Sequence, residues 1–175
     1  MLNLKSFVPL FLGLILGSAN MAQAEQSGAF YGGMGVNNDG AELQIDDTPF
    51  VLGALFFPST QSVVFGFDIA GEGEMLDSTF GSNALKQAYS FNAVLGGNLY
   101  WSEDMRTDLS AIIGFRESVK DCPDSFIGFQ CYADRDPETE YELNYGAMLT
   151  ITFDHALIGL RVTEQSAQAL IGISF

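Results

Sequence analysis

Enzymatic chemistry needs a nucleophile held beside a base, and this chain offers little material for it. Its 175 residues include one histidine, His155, and two cysteines, Cys122 and Cys131. His155 sits with Asp154 in a two-residue gap between apolar runs, where a surface turn accounts for it. No nucleophile–base pair is legible elsewhere, so the expectation is a non-enzymatic protein that uses no cofactor. The C-x8-C spacing has no second pair, which argues against a zinc site.

Charged side chains are the remaining candidates. Asp and Glu number 22 against 7 Lys and Arg, for a net charge of −15. That excludes a nucleic-acid binder, whose footprint is basic. Six charges fall where a strand pattern would turn them inward: Asp68, Glu72, Asp108, Arg116, Glu142 and Arg161. An unpaired buried charge is costly, so these six are expected to pair as a network. Arg116 and Glu142 flank the longest loop and can reach each other. Arg161 lies deeper, within reach of Asp68 or Asp108. Arg106, beside a short turn, is expected in water.

The elements that carry these residues follow from the rest of the chain. Residues 1–24 have the three parts of a cleaved secretory signal. Lys5 is the positive start, Phe7 to Gly17 is apolar, and Ala22-Gln23-Ala24 is a small-x-small cleavage site. The apolar run is too short to span a bilayer as a helix, which takes about 20 residues. Residues 25–175 then form one domain. In a secreted chain, Cys122 and Cys131 read as a disulfide that holds a surface loop in shape.

After residue 24 the dominant period is two, the mark of strands with two different faces. In Tyr141 to Phe153, Leu143, Tyr145, Ala147, Leu149 and Ile151 alternate with Asn144, Gly146, Met148, Thr150 and Thr152. Similar runs are Ser62 to Glu72, Ala88 to Trp101, Thr107 to Arg116, Ala156 to Thr163 and Ala167 to Phe175. Ala29 to Val36 and Thr48 to Phe57 alternate less cleanly. The total is eight strands, each near the length of about 9–11 residues that crosses a membrane when tilted. Connections at 58–60, 102–105 and 154–155 are short. Those at 37–47, 73–87 and 117–140 are long and polar, and one near Glu164-Gln165-Ser166 is brief. The pattern predicts an all-β, antiparallel, up-and-down transmembrane barrel.

A soluble eight-stranded barrel would place its apolar face inward instead. Its solvated outer face would carry many Lys and Glu, whereas the polar faces here are mostly Gly, Ser, Thr and Asn. Phe57, Trp101, Phe153 and Phe175 end the strands that run toward the short turns, as an interfacial aromatic ring requires. Inward glycines then make room for larger lumen side chains. Val64, Val94, Ile112, Met148, Leu157 and Leu170 share that inward side, so a wide pore is not expected.

Ala29-Phe30-Tyr31-Gly32-Gly33 and Ala169-Leu170-Ile171-Gly172-Ile173-Ser174-Phe175 carry a resemblance. The sequence resembles the small eight-stranded outer-membrane barrels of Gram-negative bacteria, of the OmpA-domain and OmpX type. The resemblance implies location in the Gram-negative outer membrane and contact with its lipid and lipopolysaccharide. It also implies delivery by the barrel assembly machinery, with Ala169, Ile171, Ile173 and Phe175 as the assembly signal, and a monomer. Lipid-modifying members would need a His and a Ser near the outer rim, while His155 falls at the opposite end. Acids crowd the long loops, among them Asp39, Glu42, Asp46, Asp47, Asp121, Asp134 and Glu138. They solvate the loops and suit weak Ca²⁺ or Mg²⁺ bridging to anionic headgroups. The functional expectation is a structural or surface-interaction role in the envelope. Its alternatives are a narrow channel for small solutes and an adhesin acting through residues 117–140.

Overall fold

The computed structural model describes residues 27–38, 48–58, 62–76, 85–119 and 139–175. The signal segment, Cys122, Cys131 and most of the acidic loop positions lie outside the described residues. Eight strands follow in order: β1 (Gly28–Asn37), β2 (Phe50–Phe56), β3 (Val63–Leu76), β4 (Leu85–Trp101), β5 (Met105–Val119), β6 (Thr139–Phe153), β7 (Ala156–Thr163) and β8 (Ser166–Ser174). Each strand pairs antiparallel with the next, and β1 pairs with β8, so the sheet is a closed barrel. At the seam the Phe175 carbonyl accepts the Ser27 and Gly28 amides, and the Phe175 amide donates to Gly28. Closure removes the free edges that an open sheet would leave.

Period-two sequence becomes two walls. The outer wall is apolar around the whole ring: Phe30, Leu52, Phe67, Phe91, Ile113, Tyr145, Leu160 and Ile171 are exposed, one from each strand. Such an area far exceeds the apolar patches that water-soluble monomers expose. Ala54 also lies on this wall, between Phe30 and Phe67 in register, and those rings cover it. No helix among the described residues is long and apolar enough to cross a membrane. Strands alone would have to do so.

The inner wall alternates large with small. Tyr31 lies opposite Gly53 on one side and Gly172 on the other. Leu55 and Val94 face Gly66, Val64 faces Gly96, Ile112 faces Gly146, and Leu170 faces Gly33 and Gly159. A β-carbon at Gly53 would strike the Tyr31 ring, and one at Gly33 would strike Leu170. The inward glycines are therefore the space into which the neighbouring strand's side chains fit.

Two bulges interrupt the alternation. One lies between Gly71 and Glu74, with Gly73 at φ 70°. A side chain is strained at that angle, which favours glycine there. Beyond the bulge the parity reverses and Met75 is buried. The other lies between Asn98 and Tyr100. It pairs Tyr100 with Thr107 and sets Trp101 opposite Arg106.

Strand lengths are uneven. β7, β8, β1 and β2 have 8, 9, 10 and 7 residues, whereas β3 to β6 have 14 to 17. β5 and β6 pair out to Val119 and Thr139, while β6 meets β7 no farther than Gly146 and Thr163. On the loop side, β3 to β6 thus continue as a ledge above their shorter neighbours.

A closed barrel keeps its backbone hydrogen bonds inside the wall and resists detergent. Membrane-purified protein is expected to migrate differently on a denaturing gel before and after boiling. Identical mobility in both lanes would contradict closure.

Candidate functional site

Among the described residues, charged side chains converge in the lumen, which is layered. On β3, Val64 precedes Asp68 and Glu72 in the direction away from the short turns. On β4, β6, β7 and β8 the same order holds: Val94 then Asn92 and Ser90; Met148 then Asn144; Leu157 then Arg161 and Thr163; Leu170 then Gln168 and Ser166. All of these side chains are buried. A polar cluster therefore occupies the loop side of the lumen, and an apolar layer underlies it.

Arg161 is the centre of the polar cluster and is fully buried, with 0% exposure. Its guanidinium grips two carboxylates of β3. Nε and Nη2 donate to Asp68 at 3.0 and 3.2 Å. Nη1 and Nη2 donate to Glu72 at 2.8 and 3.1 Å. Asp68 and Glu72 are four residues apart, so they stand one above the other on the same wall. The flat fork of an arginine spans both, which a lysine ammonium could not do.

Two carboxylates against one guanidinium leave an excess negative charge in the interior. Neutral donors offset it. Glu72 Oε1 also accepts from Ser90 at 2.6 Å and Asn144 at 2.8 Å. Its Oε2 accepts from Thr163 at 2.6 Å and Ser166 at 2.8 Å. Asp68 accepts from Tyr31 Oη at 3.1 Å and Asn92 at 2.7 Å. Hydrogen bonds to an ionised acceptor are the strong class, and each carboxylate oxygen here has at least two. The members come from β1, β3, β4, β6, β7 and β8, so the cluster fastens the ring across its diameter.

The remaining charges sit at the two ends. At the loop-side mouth, Arg116 donates to Glu142 at 3.1 Å, and Ser118 supports the same carboxylate at 2.9 Å. The Glu142 side chain is 59% exposed, so this pair belongs to the rim. Nearer the short turns, Asp108 is buried and pairs with Arg106 at 2.8 Å, not with Arg161.

Three placements differ from the sequence reading. Arg106 is not in water: it is 6% exposed and stacked over the Phe57 ring at 4.4 Å. It shares the parity of Asp108, and that parity overrides its nearness to the turn. Phe57 is not part of an outer aromatic ring, because it faces the lumen and is buried. Phe56 is the β2 residue that stacks against Phe65 and Phe67 outside. Trp101 is exposed, but the bulge aligns it with inward Arg106 and gives the outward position to Tyr100. Phe153 and Phe175 are exposed, and Phe175 packs on Phe30. The neutral donors Tyr31, Ser90, Asn92, Asn144, Thr163 and Ser166, and Gln168, which accepts from Arg161 Nη1 at 3.4 Å, stand outside the network read from the sequence. Their signal is a polar residue at an inward position on the loop side of an apolar one.

Ala169, Ile171, Ile173 and Phe175 share the outward side of β8. Among the described residues no group of three or more His, Cys, Asp or Glu is placed to hold a metal ion.

No family model matches the chain, and no curated protein does. The barrel resembles solved structures of the outer membrane protein Ail from Yersinia pestis. One, in a phospholipid bilayer nanodisc, is 18% identical with a TM-score of 0.45, covering 86% of this chain and 100% of that one. Another, a crystal structure with the heparin analogue sucrose octasulfate, is 14% identical with a TM-score of 0.43, covering 85% and 95%.

Removing one partner of a buried ion pair strands the other charge. Arg161→Ala is expected to cost about 3–5 kcal/mol. Arg116→Ala, whose partner is largely in solvent, should cost about 1 kcal/mol or less. Urea unfolding of both variants in the same lipid is the measurement. Equal midpoints would show that the Arg161 clamp does not hold the barrel together.

Proposed function

We propose that the chain is an integral outer-membrane barrel that serves as a closed anchor and makes cell-surface contacts through its loop-side end. The observation that carries this reading is the combination of an apolar outer wall with an inner wall whose large side chains are buried against one another. The wall matches hydrocarbon, and a closed barrel is one of two ways for a backbone to cross it. Such an inner wall leaves function to the ends. The strands that flank the 117–140 loop, β5 and β6, belong to the ledge and stay paired out to Val119 and Thr139. That loop holds seven acids against two bases. Between Cys122 and Cys131 it carries Phe126, Ile127 and Phe129. Apolar residues framed by acids suit a protein partner better than a polyanion. A disulfide between the cysteines would hold them in place. Attachment is named for the similar Yersinia pestis protein; for this chain the reading rests on its own ledge and loop. Ala169, Ile171, Ile173 and Phe175 suit the role of an assembly signal, and the barrel works without a cofactor.

A channel is the reading that the lumen disfavours. Leu55, Val64, Val94, Ile112, Met148, Leu157 and Leu170 form an apolar layer of the inner wall, with only the hydroxyls of Ser110 and Thr150 beside it among the described residues. An ion crossing it would lose its hydration with little replacement.

Two experiments test these readings. Cells displaying the protein should bind a host-cell monolayer above vector controls, and replacing residues 121–137 with a Gly-Ser linker should abolish the gain. Undiminished binding at equal surface level would reject the loop as the contact. In planar bilayers the purified barrel should give no discrete conductance steps. Reproducible steps that scale with salt would reopen the channel reading.

A further inference from the structure

Arg106 spends little of its donor capacity. Its Nε donates to both oxygens of Asp108, at 2.9 and 2.8 Å. Asn98 Nδ2 also donates to Asp108 Oδ1, at 3.0 Å. The guanidinium carbon stands 4.4 Å from the Phe57 ring centroid. Carboxylate and ring together fix the orientation of the group while leaving its outer nitrogens uncommitted. Nη2 is buried and has no partner among the described residues. Directly across the β5–β6 ladder from Arg106 is Thr152. Its Oγ1 is also buried without a partner. Two buried, unpartnered polar groups therefore stand at facing ladder positions, at the end of the lumen nearest the short turns.

The chemistry of the pair restricts the ligand. A guanidinium nitrogen only donates, and a hydroxyl can donate as well. The Asp108 oxygens are already engaged. A group that supplies acceptors only, and supplies more than one, fits this surplus. An arginine steered by a carboxylate at Nε and open at Nη is suited to a tetrahedral oxyanion. We propose that Arg106 and Thr152 form a phosphate-oxygen site at the short-turn mouth of the lumen, with Asp108, Asn98 and Phe57 as positioning residues. The phosphate can come from a lipid headgroup at that face or from free phosphate.

Inorganic phosphate is the probe, titrated into the full barrel in a maltoside detergent that carries no phosphate. The Thr152 methyl and Arg106 Nε–H resonances should shift saturably, and equal ionic strength of chloride should not move them. Thr152→Val, followed at Arg106, and Arg106→Lys, followed at Thr152, should each weaken binding by about tenfold or more, the loss expected for a charge-assisted hydrogen bond. Heat-modifiable migration shows that each variant is folded. If Arg106→Lys fails to fold, Thr152→Val decides alone, since it replaces a hydroxyl by a methyl of similar size. Repeating the titration in phospholipid nanodiscs separates the sources. A site already held by a headgroup will no longer respond to phosphate, whereas a site for free phosphate will. No saturable shift in maltoside, or one unchanged in both variants, overturns the proposal and leaves the two groups to ordinary water.

Discussion

Closing eight strands into a ring turns every second residue into a space only as wide as the side chains that fill it. That constraint governs the rest of the molecule. It requires the outer wall to be apolar if the barrel sits in lipid, because no second layer of protein covers it. It favours an inner wall that interdigitates, with large side chains set against small ones at many ladder steps, although Val94 faces Ile112 and Met148 faces Arg161 directly. The register meets this by setting glycine against Tyr31, Leu55, Val64, Ile112 and Leu170. It also requires that any charge placed inside be answered inside.

Arg161 shows what such an answer involves. A single guanidinium cannot neutralise both Asp68 and Glu72, so hydroxyls and amides from five other strands complete their coordination. Buried ion pairs are weak sources of net stability, because desolvation consumes much of their Coulombic gain. Their effect on register is firmer. Slipping any contributing strand by one residue would move its polar side chain to the lipid face and bring an apolar one into the cluster. The cluster thus ties the choice of register on one strand to the choice on the others.

The strands and their two faces were legible because period-two alternation is a local property of sequence. Where local parity continues unbroken, as from Val64 to Glu72, the inward side follows at once. It fails where the chain departs from it. The bulge between Asn98 and Tyr100 shifts Trp101 by one place, and no signal short of the register reveals it. Phe57 lies beyond the last paired residue of β2 and still turns in, towards Arg106. Partner choice was less legible than parity. Asp68 and Asp108 were equivalent candidates for Arg161, since both are inward acids. The stagger of the strands decides between them, and stagger is a property of the closed ring, not of any segment.

The two buried arginines differ in a way that bears on function. Arg161 finds acceptors for Nε, Nη1 and Nη2 and lies on the loop side of the apolar layer. Arg106 finds acceptors through Nε alone and lies on the short-turn side of that layer. A saturated guanidinium has nothing left to offer a ligand, whereas an unsaturated one does. The apolar layer keeps the two apart, since no side-chain hydrogen bond among the described residues crosses from Tyr31 and Asp68 to Asp108. Polar chemistry at one end of the lumen can therefore change without disturbing the other. A barrel filled in this way can respond at its short-turn mouth while the clamp that holds its ring stays closed.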